Sequence, residues 1–287
     1  MYYLLIIFSV ILFGGNFALN DIYRKMRGSS IKISLQFNFL SSVAGFIALV
    51  VINGFKLEFT PFSLVMAILT ALNGFGFTYC GFKALNRINL SMYSLFSMLG
   101  GMAVPFVQGI VFYGEKLTLA KGVCFVIITA SLLMTIEKGE KKKGTIFYIG
   151  IFVLNGMSGV LSKIFTEAPF EKVSAAGYSI LSSVCSIVLS AVFLILLFKN
   201  KDDAPKSTFA SVSVGAISGI LNKIANFILV FALIHVEASV QYPMVTGGVM
   251  IVSTAICFFG DRKPSKKEIF SVLVAFVGMI ALFAIPI

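Results

Sequence analysis

The sequence has no tryptophan, one histidine (His235), four cysteines and only 12% charged residues in a length of 287. A water-soluble domain carries about 25% charged residues. Half that share leaves too little polar surface to coat a core of this size, so an ordinary soluble enzyme is excluded. Disorder is excluded as well, because it combines low hydrophobicity with high charge. An intramembrane enzyme would need paired carboxylates, a histidine site or metal ligands. With one histidine, no HExxH and no acid pair inside an apolar segment, no catalytic residue, metal ligand or cofactor is assigned. Cys80, Cys124, Cys185 and Cys257 lie far apart in apolar segments without a CxxC. They therefore read as small core residues rather than a disulfide framework or a zinc site. The N-terminus lacks both a basic leader and an Ala-x-Ala-like cleavage site, so its apolar stretch to Leu19 reads as a retained first span.

What is present is apolar surface: 58% of residues, with a mean hydropathy of +0.99. A helix needs roughly 20 apolar residues to cross the hydrocarbon, so the length allows roughly ten crossings. Charge runs and Gly/Pro/Asn clusters divide the chain into ten apolar segments. The first five are Tyr3–Asn20, Ile33–Ile52, Phe62–Leu85, Leu90–Tyr113 and Leu119–Ile136. The second five are Ile146–Phe165, Ser174–Phe198, Phe209–Ile234, Ala238–Phe259 and Ile269–Ile285. Each is expected to be a helix, since an isolated strand cannot satisfy its backbone in lipid.

A net charge of +11 would suit a nucleic-acid binder, but its distribution says otherwise. The odd-numbered connections hold 17 of the 23 basic residues, including Arg24, Lys25 and Arg27, the run Lys141–Lys143, and Arg262 with Lys263. The even-numbered connections hold five: Lys56, Lys116, Lys121, Lys163 and Lys172. The positive-inside rule then places the odd connections in the cytoplasm and both termini outside. The surplus charge is topology information and attraction to anionic headgroups. The expected partners are a lipid bilayer and a small-molecule substrate, with no nucleic acid. The expected location is a cell membrane, bacterial plasma membrane in type, with the chain multi-pass and a monomer or dimer.

The chain also repeats itself. Phe112-Tyr113-Gly114-Glu115-Lys116 after the fourth segment is similar to Phe258-Phe259-Gly260-Asp261-Arg262 after the ninth. Leu19-Asn20-Asp21-Ile22-Tyr23 is similar to Leu161-Ser162-Lys163-Ile164-Phe165, and Ala84-Leu85 to Ala232-Leu233. An odd number of spans per copy makes the second copy enter from the opposite side, an inverted-topology 5+5 repeat. Such repeats place a substrate site near the midplane between the halves. The expected units are residues 1–136, a basic linker at 137–144, and residues 145–287.

These features resemble the EamA-type drug/metabolite transporter superfamily, which usually carries glutamate where Asp261 stands. The resemblance implies a basket-shaped all-helical bundle with a central cavity lined mainly by helices one, three, four, six, eight and nine. It covers nearly the whole chain. Gly219-Ile220-Leu221-Asn222-Lys223 is also similar to the GALNK string of the superfamily's nucleotide-sugar transporters, with Ile in place of Ala.

Ionisable groups at mid-membrane are expensive and mark functional sites. Lys223 lies about 21 Å from one end of its segment and about 16 Å from the other at 1.5 Å per residue, beyond easy snorkelling. Asn222 and Asn226 flank it, and Asn16, Asn20, Asn73, Asn155, Ser158, Gln241 and Tyr242 supply amides and hydroxyls in other segments. Tyr79 and Tyr93, whose hydroxyls need partners, complete the candidate substrate-binding set. Interhelical hydrogen bonding is the competing role for each amide. Glu115 is expected to brace the next helix or pair with a basic neighbour, and Glu237 with His235 to form a solvated pair. No acidic residue is placed in any segment, so a cavity around Lys223 favours a carboxylate, a phosphate or a zwitterion over a cation. The expected function is secondary transport of a small polar metabolite such as an amino acid, a sugar phosphate or a nucleotide-sugar-like compound. The alternatives are export of drugs or other hydrophobic or cationic compounds, an intramembrane enzyme, and a channel or scaffold.

Overall fold

The computed structural model describes residues 2–86, 90–134, 145–197, 207–259, 263 and 265–284. The linker at 137–144 and the Gly260-Asp261 pair lie outside them. Among the described residues every regular element is a helix: α1 (Tyr2–Arg27), α2 (Ile31–Ile52), α3 (Pro61–Leu85), α4 (Leu90–Tyr113) and α5 (Leu119–Met134), then α6 (Thr145–Glu167), α7 (Ala175–Leu197), α8 (Phe209–Leu233), α9 (Ala238–Cys257) and α10 (Lys266–Ala284).

Local chemistry sets several ends. Ser30, Thr60 and Thr208 cap α2, α3 and α8 by accepting from the backbone N–H three residues on, as short hydroxyl side chains do at a helix start. Pro61 opens α3 where its missing N–H costs nothing. Helix α1 runs on past Asn20, the boundary read from hydropathy. The extension is polar but self-paired: Asp21 binds Arg24 at 2.7 Å and Lys25 at 3.3 Å, three and four residues on.

Seven of the helices (α1, α2, α3, α4, α6, α7 and α8) are long and apolar enough to cross a membrane. Among the described residues α5 and α10 are apolar over shorter stretches, Leu119–Ser131 and Ile269–Gly278. Helix α9 buries Gln241, Thr246, Ser253 and Thr254, which dilute its apolar character. The surface is inverted relative to a soluble protein. Leu4, Val51, Val111, Val126, Val188 and Ile195 are all more than half exposed, while Asn16, Gln241, Ser97 and Ser183 are buried. An apolar outside around a polar inside is what a bundle in lipid requires.

The helices of residues 1–136 pack mainly on those of residues 145–287. Helix α1 lies against α8 and α9, α2 against α7 and α8, α3 against α6 and α7, α4 against α6 and α9, and α5 against α10. Exchanging each helix with the one five places away reproduces this set of partners. Small residues allow the close approaches. A Cβ on Gly219 of α8 would come within 2.1 Å of the Ser41 carbonyl oxygen of α2, and one on Gly100 of α4 within 1.9 Å of the Phe152 carbonyl oxygen of α6. Glycine lets backbones meet at these crossings, as in other membrane bundles.

The connections sort to opposite ends. Glu58, between α2 and α3, accepts from the backbone N–H and hydroxyl of Ser174, which precedes α7. Glu115, between α4 and α5, accepts from the start of α9. At the other end Arg24 of α1 donates to Asn86, just past α3.

Candidate functional site

A cavity of about 220 Å³ opens between the helices. It is lined by Asn16 and Asn20 of α1, Asn73 of α3, Tyr93 of α4, Asn155 and Ser158 of α6, Asn222, Lys223 and Asn226 of α8, and Gln241 and Tyr242 of α9. Of the residues chosen from sequence, Tyr79 alone is not brought there. Its ring meets Phe147 edge-on at 6.2 Å and the Lys83 ammonium sits 5.8 Å from its centroid. Its position on α3 differs by six residues from Asn73, which turns it to another face of that helix.

The lining also includes two helices that the family resemblance left out. Helix α2 contributes Phe37, Asn38, Ser41 and Ser42, and α7 contributes Tyr178, Ser179, Ser182 and Ser186. Ser179, Ser182 and Ser186 recur every three to four residues, the period of one helix face. The sequence shows that hydroxyl stripe and the amides Gln36 and Asn38, but not that their helices face the cavity. Their hydroxyls are satisfied within α7, each donating to a carbonyl three or four residues earlier.

The amides both line the cavity and tie its walls. Asn155 Nδ2 donates to the Ser97 carbonyl at 2.6 Å and Asn73 Nδ2 to the Leu154 carbonyl at 2.9 Å. Ser218 Oγ lies 2.7 Å from both Asn16 Oδ1 and Asn20 Oδ1. Thr78 donates to Asn38 Oδ1 at 3.0 Å, and the Thr70 and Tyr178 hydroxyls share a bond of 2.6 Å. Asn226 donates to the Asn222 carbonyl, Gln241 Nε2 to the Leu229 carbonyl, and Tyr242 Oη to the Gly159 carbonyl. The walls are thus preorganised, because side chains with spent donors hold their remaining acceptors in place.

Lys223 differs. Among the described residues it has no hydrogen bond and no ion pair; its side chain lies near Cys185 of α7. Among the described residues no acidic side chain lines the cavity with it. Gly45 of α2 makes this placement possible, since a Cβ there would sit 2.4 Å from Lys223 Cγ. The aliphatic stem crosses the α2 backbone at that glycine, and among the described residues the ammonium is the only formal charge in the lining.

Two lysines counted above with the even-numbered connections, Lys121 and Lys163, instead fall within helices. Lys163 belongs to α6, 5% exposed, with Nζ at 2.9 Å from Glu115 Oε1 and 3.0 Å from Glu167 Oε1. Lys121, in the first turn of α5, pairs with Glu237. Glu237 and His235 are both exposed, as expected, but they partner other residues: Glu237 holds Lys121, and His235 stacks on Tyr2 with centroids 4.1 Å apart. Glu115 does pair with a basic neighbour, but the helix that it braces is α9 and not α5. Its oxygens accept from the backbone N–H groups of Ala238 at 3.2 Å and Ser239 at 3.0 Å, where a helix start favours an anion. Burial pushes the Glu115 carboxyl up, but the hydrogen bonds from Lys163 and Ser239 and the Lys163 charge outweigh it. The carboxyl is held below its ordinary range.

No group of three or more histidine, cysteine or carboxylate side chains could hold a metal among the described residues. Cys80, Cys124 and Cys185 are free thiols; the Cys257 side chain lies outside the described residues.

No family model matches the chain, and no curated protein matches it by sequence. Solved structures do match. One, given only as "Crystal structure of protein", has a TM-score of 0.72, 17% sequence identity and coverage of 97% of both chains. A likeness at that identity shows the fold alone.

Proposed function

We propose that the chain is a secondary transporter that carries a small anionic or zwitterionic metabolite across a membrane by alternating access. It resembles the EamA-type superfamily in this reading, with all ten helices crossing as a 5+5 inverted repeat. The exchange of helix partners between the halves supports the repeat, as does the sorting of connections to opposite ends. Inverted repeats of this kind bind substrate near the bilayer midplane.

The observation that carries the substrate class is the Lys223 ammonium, which among the described residues has no partner and shares its cavity with no acidic side chain. An unpaired ammonium facing a cavity attracts an anion and repels a hydrophobic cation. Amides and hydroxyls around it can bond a carboxylate, an amine or a hydroxyl.

Proteoliposome counterflow tests the proposal with three solute sets: amino acids, sugar phosphates and quaternary ammonium compounds. Uptake of an anionic or zwitterionic solute that Lys223→Ala abolishes is the expected result. Preferential uptake of the cations, unaffected by Lys223→Ala, would sink it.

A further inference from the structure

Resting on the transport reading, we infer that Glu115, with Lys163 and the start of α9, is the latch that keeps one end of the cavity closed. Three elements meet at this carboxylate: the connection that carries it, the end of α6 and the start of α9. Two glycines put it there. Gly114 has φ +65° and turns the chain back after α4, so that the Glu115 N–H donates to the Gly109 carbonyl at 3.1 Å. A Cβ on Gly109 would come within 2.8 Å of the carboxylate, so the side chain folds against α4 only because that position is bare.

The latch sits directly outside the cavity wall. Lys163 is four residues beyond Gly159, about 6 Å along α6, and Gly159 accepts from the Tyr242 hydroxyl that lines the cavity. For this end to open, Glu115 must leave Lys163, α9 or both. The arrangement lets it do so without stranding a charge. Lys163 keeps Glu167, whose side chain is 42% exposed. Glu115 sits between exposed Gly114 and Lys116, one step from water. A static brace would have no spare partner, and a lone buried ammonium would oppose opening. The Lys121–Glu237 pair at the same end also joins the two halves and would part in the same movement.

The test is thiol labelling of Ser162→Cys, which lines the cavity beside Lys163, after the four native cysteines are replaced by serine. A membrane-impermeant maleimide is added to the α4–α5 side of vesicles of defined orientation, with no solute present. Minor states of such equilibria hold about 0.1–10% of the population, so Glu115→Gln should speed labelling roughly tenfold. Lys163→Gln should act in the same direction, and it keeps the bonds from Glu115 to α9, so the test survives if one variant folds poorly. Asp21→Asn, which breaks ion pairs at the opposite end of the bundle, should leave the rate unchanged. An unchanged rate in both latch variants, or an equal increase with Asp21→Asn, would overturn the latch. Faster labelling in a protein that moves no solute would support the latch while removing the transport reading.

Discussion

Lys163 and Lys223 are both lysines on membrane-type helices, and they are treated in opposite ways. Lys163 is held by two carboxylates, with the Tyr113 ring 5.4 Å away. Lys223 has no partner among the described residues and faces a cavity of amides, hydroxyls and aromatic rings. Lys163 is buried and Lys223 only half-buried against the cavity, so Lys163 carries the larger desolvation cost. The protein compensates Lys163 itself; on the proposed reading a ligand does so for Lys223. A cation satisfied internally belongs to the framework or its latch. On the proposed reading, a cation left unpaired beside an open volume serves recognition, because an anion can approach it there.

That contrast can be broken most forcefully at Glu115. Glu115→Ala leaves two α9 amides without an acceptor and removes one of the two partners of Lys163. Thermal unfolding in detergent should then show a loss of about 1–3 kcal/mol, the cost of leaving buried donors without an acceptor while Lys163 keeps Glu167. Lys223→Ala should do the reverse, with unfolding unchanged or shifted upward, while binding of an anionic solute weakens by about 1.5–3 kcal/mol, the worth of a hydrogen bond to a charged group. Gly45→Ala sharpens the same point through sterics. The added methyl drives into the Lys223 stem, so stability should fall by about 1–3 kcal/mol, as in other overpacked sites, and solute binding should fall with it.

Acid provides a smaller test. The Glu115 carboxyl titrates below its ordinary value, so the stability that it contributes is fully present above the ordinary carboxylate range. That contribution is lost as pH falls through the lower folded value. Melting temperature should therefore drop on the acid side in the native protein, and Glu115→Gln should flatten that limb. Smallest of all, Tyr79→Phe should stay within about 0.5 kcal/mol in stability and leave solute binding unchanged, because the ring packs outside the cavity.

Most of the helical layout could be read from hydropathy. Runs such as Ile33–Ile52 and Phe209–Ile234 have one stable state in lipid, so their type and near-limits follow from length alone. The polar candidates could be picked out because an amide in an apolar run is costly anywhere but an interior. Lys163 was misplaced for a physical reason: it stands four residues from the end of α6 beside charged Glu167, where hydropathy cannot distinguish a span end from a connection. Its partner Glu115 is 48 residues away in the chain, and only packing brings them together. The contribution of α2 and α7 to the cavity was hidden likewise. Ser and Thr bond their own helix as readily as a ligand, so their composition does not reveal which face meets open space.

The most direct measurement of the central claim compares one carboxylate solute with its neutral methyl ester, by calorimetric binding to the native protein and to Lys223→Gln. The account predicts that the native protein prefers the carboxylate by roughly ten- to a hundredfold, the range of a charge-assisted bond, and that Lys223→Gln erases the preference. Equal binding of acid and ester by the native protein, or a preference that survives in Lys223→Gln, would contradict it.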